Sequence, residues 1–266
     1  MSTLPLLVVQ HESMAPAGWL GEWLAEAGVG LDVRRPYAGD PLPADLSGHV
    51  GMLVLGGEMG AYDDADHPWL TDVKRLVVSA AEAGTPVLGV CLGHQLASVA
   101  LGGEVAPNPR GQQLGVLDVG WTDTARADPL LGRVAAVAAR APSGAPATPA
   151  VQWNLDVVTR LPEGAVELAR TSDGELQAVR LAPTVWGVQW HPEVGEEIIR
   201  DWADHDRDAA QERDVDLDRY VDEVARARDR LRETWRVLAD DLVAVCRRAD
   251  TERSRGSRGS RGAVAP

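Results

Sequence analysis

Gly89-Val90-Cys91-Leu92-Gly93-His94-Gln95 is the stretch that decides how this chain folds. Pro86 to Val90 is an apolar run of strand length, and Leu96, Ala97, Val99 and Ala100 follow at helical spacing. A strand therefore turns into a helix at Cys91. This is the geometry of a nucleophile elbow, which exposes a reactive side chain at the carboxyl edge of a sheet. The positive end of the following helix favours thiolate over thiol, and its free N–H groups suit a developing oxyanion. A buried structural cysteine is the other reading of these residues, and the elbow alone does not choose between them.

Working outward, the first two-thirds of the chain alternate short apolar runs with helical patterns. Leu6 to Val9, Leu31 to Val33 and Gly51 to Leu55 read as strands, the last of them ending in Gly56-Gly57. Trp19, Leu20, Trp23 and Leu24 recur at helical spacing, and a helix from Trp69 to Ala83 stops at Gly84. Such alternation predicts an α/β fold, a mostly parallel sheet with helices on both faces. Leu117 to Val119, Ala165 to Ala169, Ala178-Val179 and Val185 to Gln189 read as shorter strands, some antiparallel. Arg140 to Pro149, rich in Ala, Pro, Gly and Ser, reads as a loop.

A charged stretch from Glu196 to Arg213 leads to a long helix over Asp216 to Arg248. Leu217, Val221, Val224, Leu231, Trp235, Leu238, Leu242 and Val245 give it an apolar seam, which Arg228 interrupts. Docking on its own chain is the favoured use of that seam, and a homo-oligomer contact is the other. From Thr251 the Arg/Gly/Ser sequence predicts a disordered tail. The expected organisation is a domain over 1–200, a helical extension over 201–250 and a tail over 251–266.

The bulk numbers exclude several classes. With 266 residues, 45% hydrophobic and 25% charged, the chain is an ordinary globular one. A net charge of −14 argues against nucleic acid as a partner. The arginines of the tail are read as solvating it. No apolar run approaches the ~18 residues of a membrane span, and Met1 to Gln10 has no basic segment of a secretory leader. Two cysteines, Cys91 and Cys246, fit a reducing compartment. The expectation is a soluble cytoplasmic protein. Cys246 is read as structural.

A second cluster gives Cys91 a role. In Trp186-Gly187-Val188-Gln189-Trp190-His191-Pro192-Glu193 a strand runs into His-Pro-Glu. The proline disfavours a helical conformation for His191, so its imidazole stands on an extended turn within reach of Glu193. A thiol nucleophile needs a base, and the base needs an orienting group. Cys91, His191 and Glu193 supply all three.

These two clusters, with Leu53 to Gly57, Tyr62-Asp63-Asp64, Pro68-Trp69-Leu70, Pro86 through Gly103, Asp128-Pro129-Leu130, Leu161-Pro162 and Gly187 through Glu193, resemble the class I (triad-type) glutamine amidotransferases. Within them the likeness is greatest to stand-alone proteins similar to the amidotransferase domain of GMP synthase. It spans about Leu4 to Ile199 and omits the long C-terminal helix. The resemblance implies a flavodoxin-like or Rossmann-like fold and a thioester mechanism. Cys91 would attack the glutamine carboxamide, His191 would carry the proton and Glu193 would hold the imidazole. The backbone N–H groups of Gly57 and Leu92 would meet the oxyanion, and Gln95 would contact substrate. A surface position in the first helical turn is the other reading of Gln95. His94 is read as structural, and Asp63 and Asp64 as supports of the loop around the glycines. No cofactor and no metal are implied.

Two positions depart from the family's pattern. Trp153-Asn154-Leu155-Asp156 has Asn154 where relatives often carry histidine, and Gln112-Gln113-Leu114-Gly115 has Gln113 where they commonly carry Glu. Both bear on the substrate pocket. No Ser-Gly-Gly-type phosphate loop follows residue 200, and no Walker A pattern occurs. Three activities fit the sequence. The first is glutamine hydrolysis with ammonia passed to a synthetase or acceptor protein. The second is a γ-glutamyl hydrolase or peptidase acting on a small γ-glutamyl compound. The third is a non-catalytic binding or regulatory protein of the same fold.

Overall fold

The structure, a computed structural model, describes residues 4–138 and 148–261. Strands that read as unbroken apolar runs are those buried on both faces. Leu6–Val9 (β1), Gly51–Val54 (β3), Val87–Val90 (β4) and Val185–Val188 (β11) are buried throughout and lie side by side in parallel. Leu31–Arg34 (β2) adds a parallel edge to β1. Leu176–Ala182 (β10) and Val166–Arg170 (β9) extend the other side antiparallel, giving the order β2-β1-β3-β4-β11-β10-β9. The parallel part follows the flavodoxin-like succession.

Alternate strand residues point to opposite faces, and the core divides accordingly. Leu6, Val8, Leu53, Leu88 and Val188 pack with Gly18–Glu26 (α1) and the C-terminal helix Leu217–Arg261 (α7). Leu7, Val9, Met52, Val54 and Val87 pack with Trp69–Ala83 (α2) and Leu92–Ala100 (α3). Every seam residue of α7 named from the sequence is buried, so that seam is occupied within the chain. Arg228 is exposed. On the sheet side Trp235 lies 5.0 Å from the ring of Trp190 and donates to the Pro149 carbonyl at 3.0 Å. Around the rim, Arg236 pairs with Glu26 at 2.6 Å and Arg133 with Asp241 at 2.6 Å.

The disordered tail expected over 251–266 is corrected as far as Arg261, because α7 continues without a break to that residue; 262–266 lie outside the described residues. Extension of an existing helix adds a hydrogen bond per residue without a new nucleus. Arg253 also anchors this part, donating to Thr85 Oγ1 at 2.5 Å and to the His49 carbonyl at 3.3 Å.

Further elements complete the fold, and of these the sequence announced only the end of one strand, Leu117-Asp118. Glu104–Pro107 (β5) pairs with Asp156–Arg160 (β8), and Gln113–Asp118 (β6) with Pro149–Asn154 (β7), as two small antiparallel sheets. A short helix, Gly132–Ala138 (α4), lies against α7. The charged stretch after Glu196 forms helices Glu196–His205 (α5) and Arg207–Glu212 (α6), with Ile199, Trp202 and Ala203 turned inward. Of the loop expected over Arg140 to Pro149, Pro149 opens β7, Thr148 is described, and the remainder lies outside the described residues.

Candidate active site

The carboxyl ends of β3, β4 and β11 meet at one edge of the sheet. Cys91 follows β4 directly, with φ 50° and ψ −108°, one of two non-glycine residues with positive φ among the described residues. Side chains rarely tolerate this region, so the fold has to hold the elbow in place. Its N–H donates to the Val188 carbonyl at 2.8 Å, and its carbonyl accepts from Gln95 N–H at 3.1 Å, the first bond of α3. The N–H groups of Leu92, Gly93 and His94 precede that bond and have no partner within the helix. Gly93 permits the turn by close approach, since a methyl group there would lie 2.1 Å from the Val54 carbonyl oxygen.

His191 and Glu193 lie in the loop after β11. His191 Nδ1 is 2.7 Å from Glu193 Oε1, with both side chains buried. A methyl group on Gly56 would fall 3.0 Å from His191 Cε1 and 3.6 Å from Cys91 Cβ. The same point beside Gly56 is thus close to both the cysteine and the imidazole. Burial works against charge on His191. The Glu193 carboxylate and the Cys91 sulfur overcome it and push the imidazole up from 6.5 to about 10. Gln189 Nε2 also donates to Cys91 Sγ at 3.7 Å.

Gly57, Cys91, Gln95 and His191 line one open cleft of about 380 Å³. Gln95 donates to the Asp156 carbonyl at 2.9 Å, which orients it. Leu92 is buried beneath the glycine turn, its side chain 3.2 Å from where a Gly57 methyl would be. His94 does not reach the cleft. It is buried against Gly187, and burial lowers its pKa to about 3, so it packs as a neutral ring. Asp63 and Asp64 brace the glycine loop, Asp63 accepting Gly60 N–H at 2.6 Å and Asp64 pairing with Lys74 at 2.6 Å.

The two departures separate in space. Asn154 lines the cleft. Gln113 instead donates to the buried carboxylate of Glu175, which also takes Asn108 at 2.5 Å and Arg110 at 3.0 Å. Gln113 therefore supports β6 and is not among the cleft residues.

Three contributors were not read from the sequence. Trp202 of α5 sets its ring edge-on to His191 at 4.8 Å and donates to the Met14 carbonyl at 2.8 Å. The spacing of Ile199, Trp202 and Ala203 is the helical signal that could have found it. Gln189 stood inside the quoted cluster without a role. Glu12 follows β1, whose carboxyl end lies at the strand-order reversal where ligands bind in such sheets.

Among the described residues, Glu58, His205 and Asp206 form one group with metal-ligand atoms, all within 4.8 Å of one another at the rim. Each already has a protein partner. Glu58 pairs with His205 at 3.0 Å, and Asp206 accepts Trp153 Nε1 at 3.0 Å.

Fold and site thus describe an α/β protein presenting a strained elbow cysteine opposite a carboxylate-held histidine. The sequence profile of the family described as Glutamine amidotransferase class-I matches residues 22–198, and the chain belongs to that family. Its relatives include a GMP synthase [glutamine-hydrolyzing] of Aeropyrum pernix, 31% identical over 67% of this chain and 32% of that one. A glutamine amidotransferase-like protein of Salmonella typhimurium, YfeJ, is 27% identical over 83% of this chain and 87% of its own. Gamma-glutamyl peptidase 5 of Arabidopsis thaliana is 28% identical over 65% and 66%. The chain thus spans about a third of the length of the GMP synthase and two-thirds of that of the peptidase. A glutamine amidotransferase crystal structure from Thermotoga maritima shares the fold with a TM-score of 0.78, at 22% identity over 91% of this chain and 99% of that one. No helix among the described residues is long and apolar enough to cross a membrane.

Proposed function

We propose that the chain hydrolyses γ-glutamyl amides through a thioester on Cys91, with glutamine the simplest substrate and ammonia its leaving group. One observation carries the reading: Cys91 and His191 face each other across Gly56, while Glu193 holds the far imidazole nitrogen at 2.7 Å. The sulfur adds to the amide carbonyl carbon, with its proton held by His191. Backbone N–H groups of Leu92 and Gly57 receive the charge on the oxygen. The C–N bond then breaks and His191 delivers the proton to the departing nitrogen. Water, deprotonated by His191, cleaves the thioester and releases glutamate. Likeness to GMP synthase supports passing ammonia to a synthetase or another acceptor protein.

A second reading, in which the leaving group is larger than ammonia, is favoured by a cleft that extends past the sulfur to Trp153 and Asp206 and by the likeness to gamma-glutamyl peptidase 5. Both readings share one test. Ammonia release from glutamine, and amine release from a set of γ-glutamyl amides, should disappear in Cys91→Ala, a fall of about 10³-fold or more. Release that persists in this variant would discard the thioester.

A further inference from the structure

The walls of the cleft carry more negative charge than a γ-glutamyl group can use. Glu12 after β1, Glu58 after β3, Asp156 at the start of β8 and Asp206 between α5 and α6 all line it. Among the described residues no lysine or arginine does. His205 is held by Glu58, and Arg213 reaches only the edge, bonding Gln112 Oε1 at 2.9 Å. Burial and neighbouring Glu58 push Glu12 above the usual carboxylate range, and burial and Asp63 do the same to Asp156. At these two carboxylates burial and like charge outweigh the offset that His205 and His191 give Glu12, so the wall keeps a negative bias. A γ-glutamyl group brings one ammonium and one carboxylate, zero net charge, and cannot offset that surplus.

A second feature is independent of charge. Asn154 is only 5% exposed, and its Nδ2 is turned to the Asp156 carbonyl at 3.4 Å. Its Oδ1 has no hydrogen-bond partner, although the residue lines the cleft. A buried acceptor without a donor is costly, and a ligand N–H would satisfy it. The wall beside it consists of Trp153 and Trp202, ring centres 6.1 Å apart, a surface that ammonium groups favour.

We propose, building on the hydrolase reading above, that the cleft takes γ-glutamyl amides whose leaving amine carries a further ammonium group, the diamine and polyamine class. The glutamyl carbonyl meets Cys91 while the distal ammonium lies among Glu58, Asp206 and Asn154 Oδ1. The chemistry balances without a co-reactant other than water. The C–S bond forms on addition, the C–N bond then breaks as the His191 proton goes to the departing nitrogen, and water cleaves the thioester to glutamate. The products are glutamate and the free diamine.

The test compares kcat/KM for three amides of one length: γ-glutamyl-1,4-diaminobutane, γ-glutamyl-butylamine and γ-glutamyl-4-aminobutyrate, with glutamine alongside. The cationic amide should exceed the neutral one by about tenfold or more at low salt, and the anionic one should fall below both. Salt should compress the series. Glu58→Gln with Asp206→Asn should shrink the ratio of cationic to neutral amide, and Asn154→Leu should shrink it further. A ratio near one while Cys91-dependent hydrolysis proceeds overturns the polyamine assignment and leaves the hydrolase standing. Hydrolysis of none of the four compounds overturns both.

Discussion

Burial alone would strip the proton from His191, and the two groups flanking its ring restore it. With a folded pKa of about 10 against 6.5 in the unfolded chain, the imidazole binds an extra proton in the folded state between these values. Its contribution to stability is therefore complete below about 6.5 and lost as pH rises through about 10. In Glu193→Gln the largest group raising that pKa is gone. The melting temperature of the variant should fall less steeply than that of the native chain between these pH values, and kcat/KM should drop by about 10²–10⁴-fold. Parallel pH–melting curves for the two proteins would contradict the coupling. The two cysteines give a second test at this scale. Burial pushes the Cys246 thiol up to about 12, whereas Cys91 lines an open cleft beside a cationic imidazole. Iodoacetamide at neutral pH should label Cys91 first and Cys246 only after denaturation, as peptide mass mapping would record. Equal labelling rates would favour a non-catalytic protein of this fold.

At the scale of elements, the elbow depends on α3 approaching β3 within backbone distance. A methyl group on Gly93 would strike the Val54 carbonyl, and one on Gly89 would lie 2.4 Å from the Gly93 carbonyl oxygen. Gly93→Ala should therefore cost about 3 kcal/mol or more in urea denaturation and displace Cys91 from His191. A neutral Gly93→Ala would mean that α3 can slide outward freely. The same packing explains what was legible in the sequence. β1, β3, β4 and β11 are buried on both faces, so they read as plain apolar runs, and the reading Val90-Cys91-Leu92 followed from local spacing. β5 and β7 each include a proline, and the half-exposed β8 mixes polar and apolar residues. Such edge pairs form because partners distant in sequence arrive, which no local pattern records. The cluster around His191 shows the same division. Glu193 was legible two residues away and Asn154 through the family resemblance, while Trp202 and Glu12 join the site only through tertiary placement.

For the whole molecule, the question is whether α7 is an attachment or a wall of the core. Leu231, Trp235, Leu238 and Leu242 have no measurable exposure and share one apolar cluster with Leu6, Leu53 and Val188 of the sheet. Trp235 also backs Trp190, the residue preceding His191. A chain ending at Arg213 would uncover that face of the sheet and the support behind the histidine. Removing Trp235 alone should cost about 3–5 kcal/mol, a large share of a domain's 5–15, so loss of the entire helix exceeds what the remainder can supply. The truncated chain should lack a cooperative melting transition and bind a hydrophobic dye, although the family match ends at residue 198. A chain ending at Asp250 loses the anchor of Arg253 on Thr85 and His49 but keeps every seam residue from Leu217 to Val245, and it should melt within a few degrees of the native protein. If instead the chain ending at Arg213 melts cooperatively and cleaves a γ-glutamyl amide, the helix is a dispensable attachment and the core closes without it.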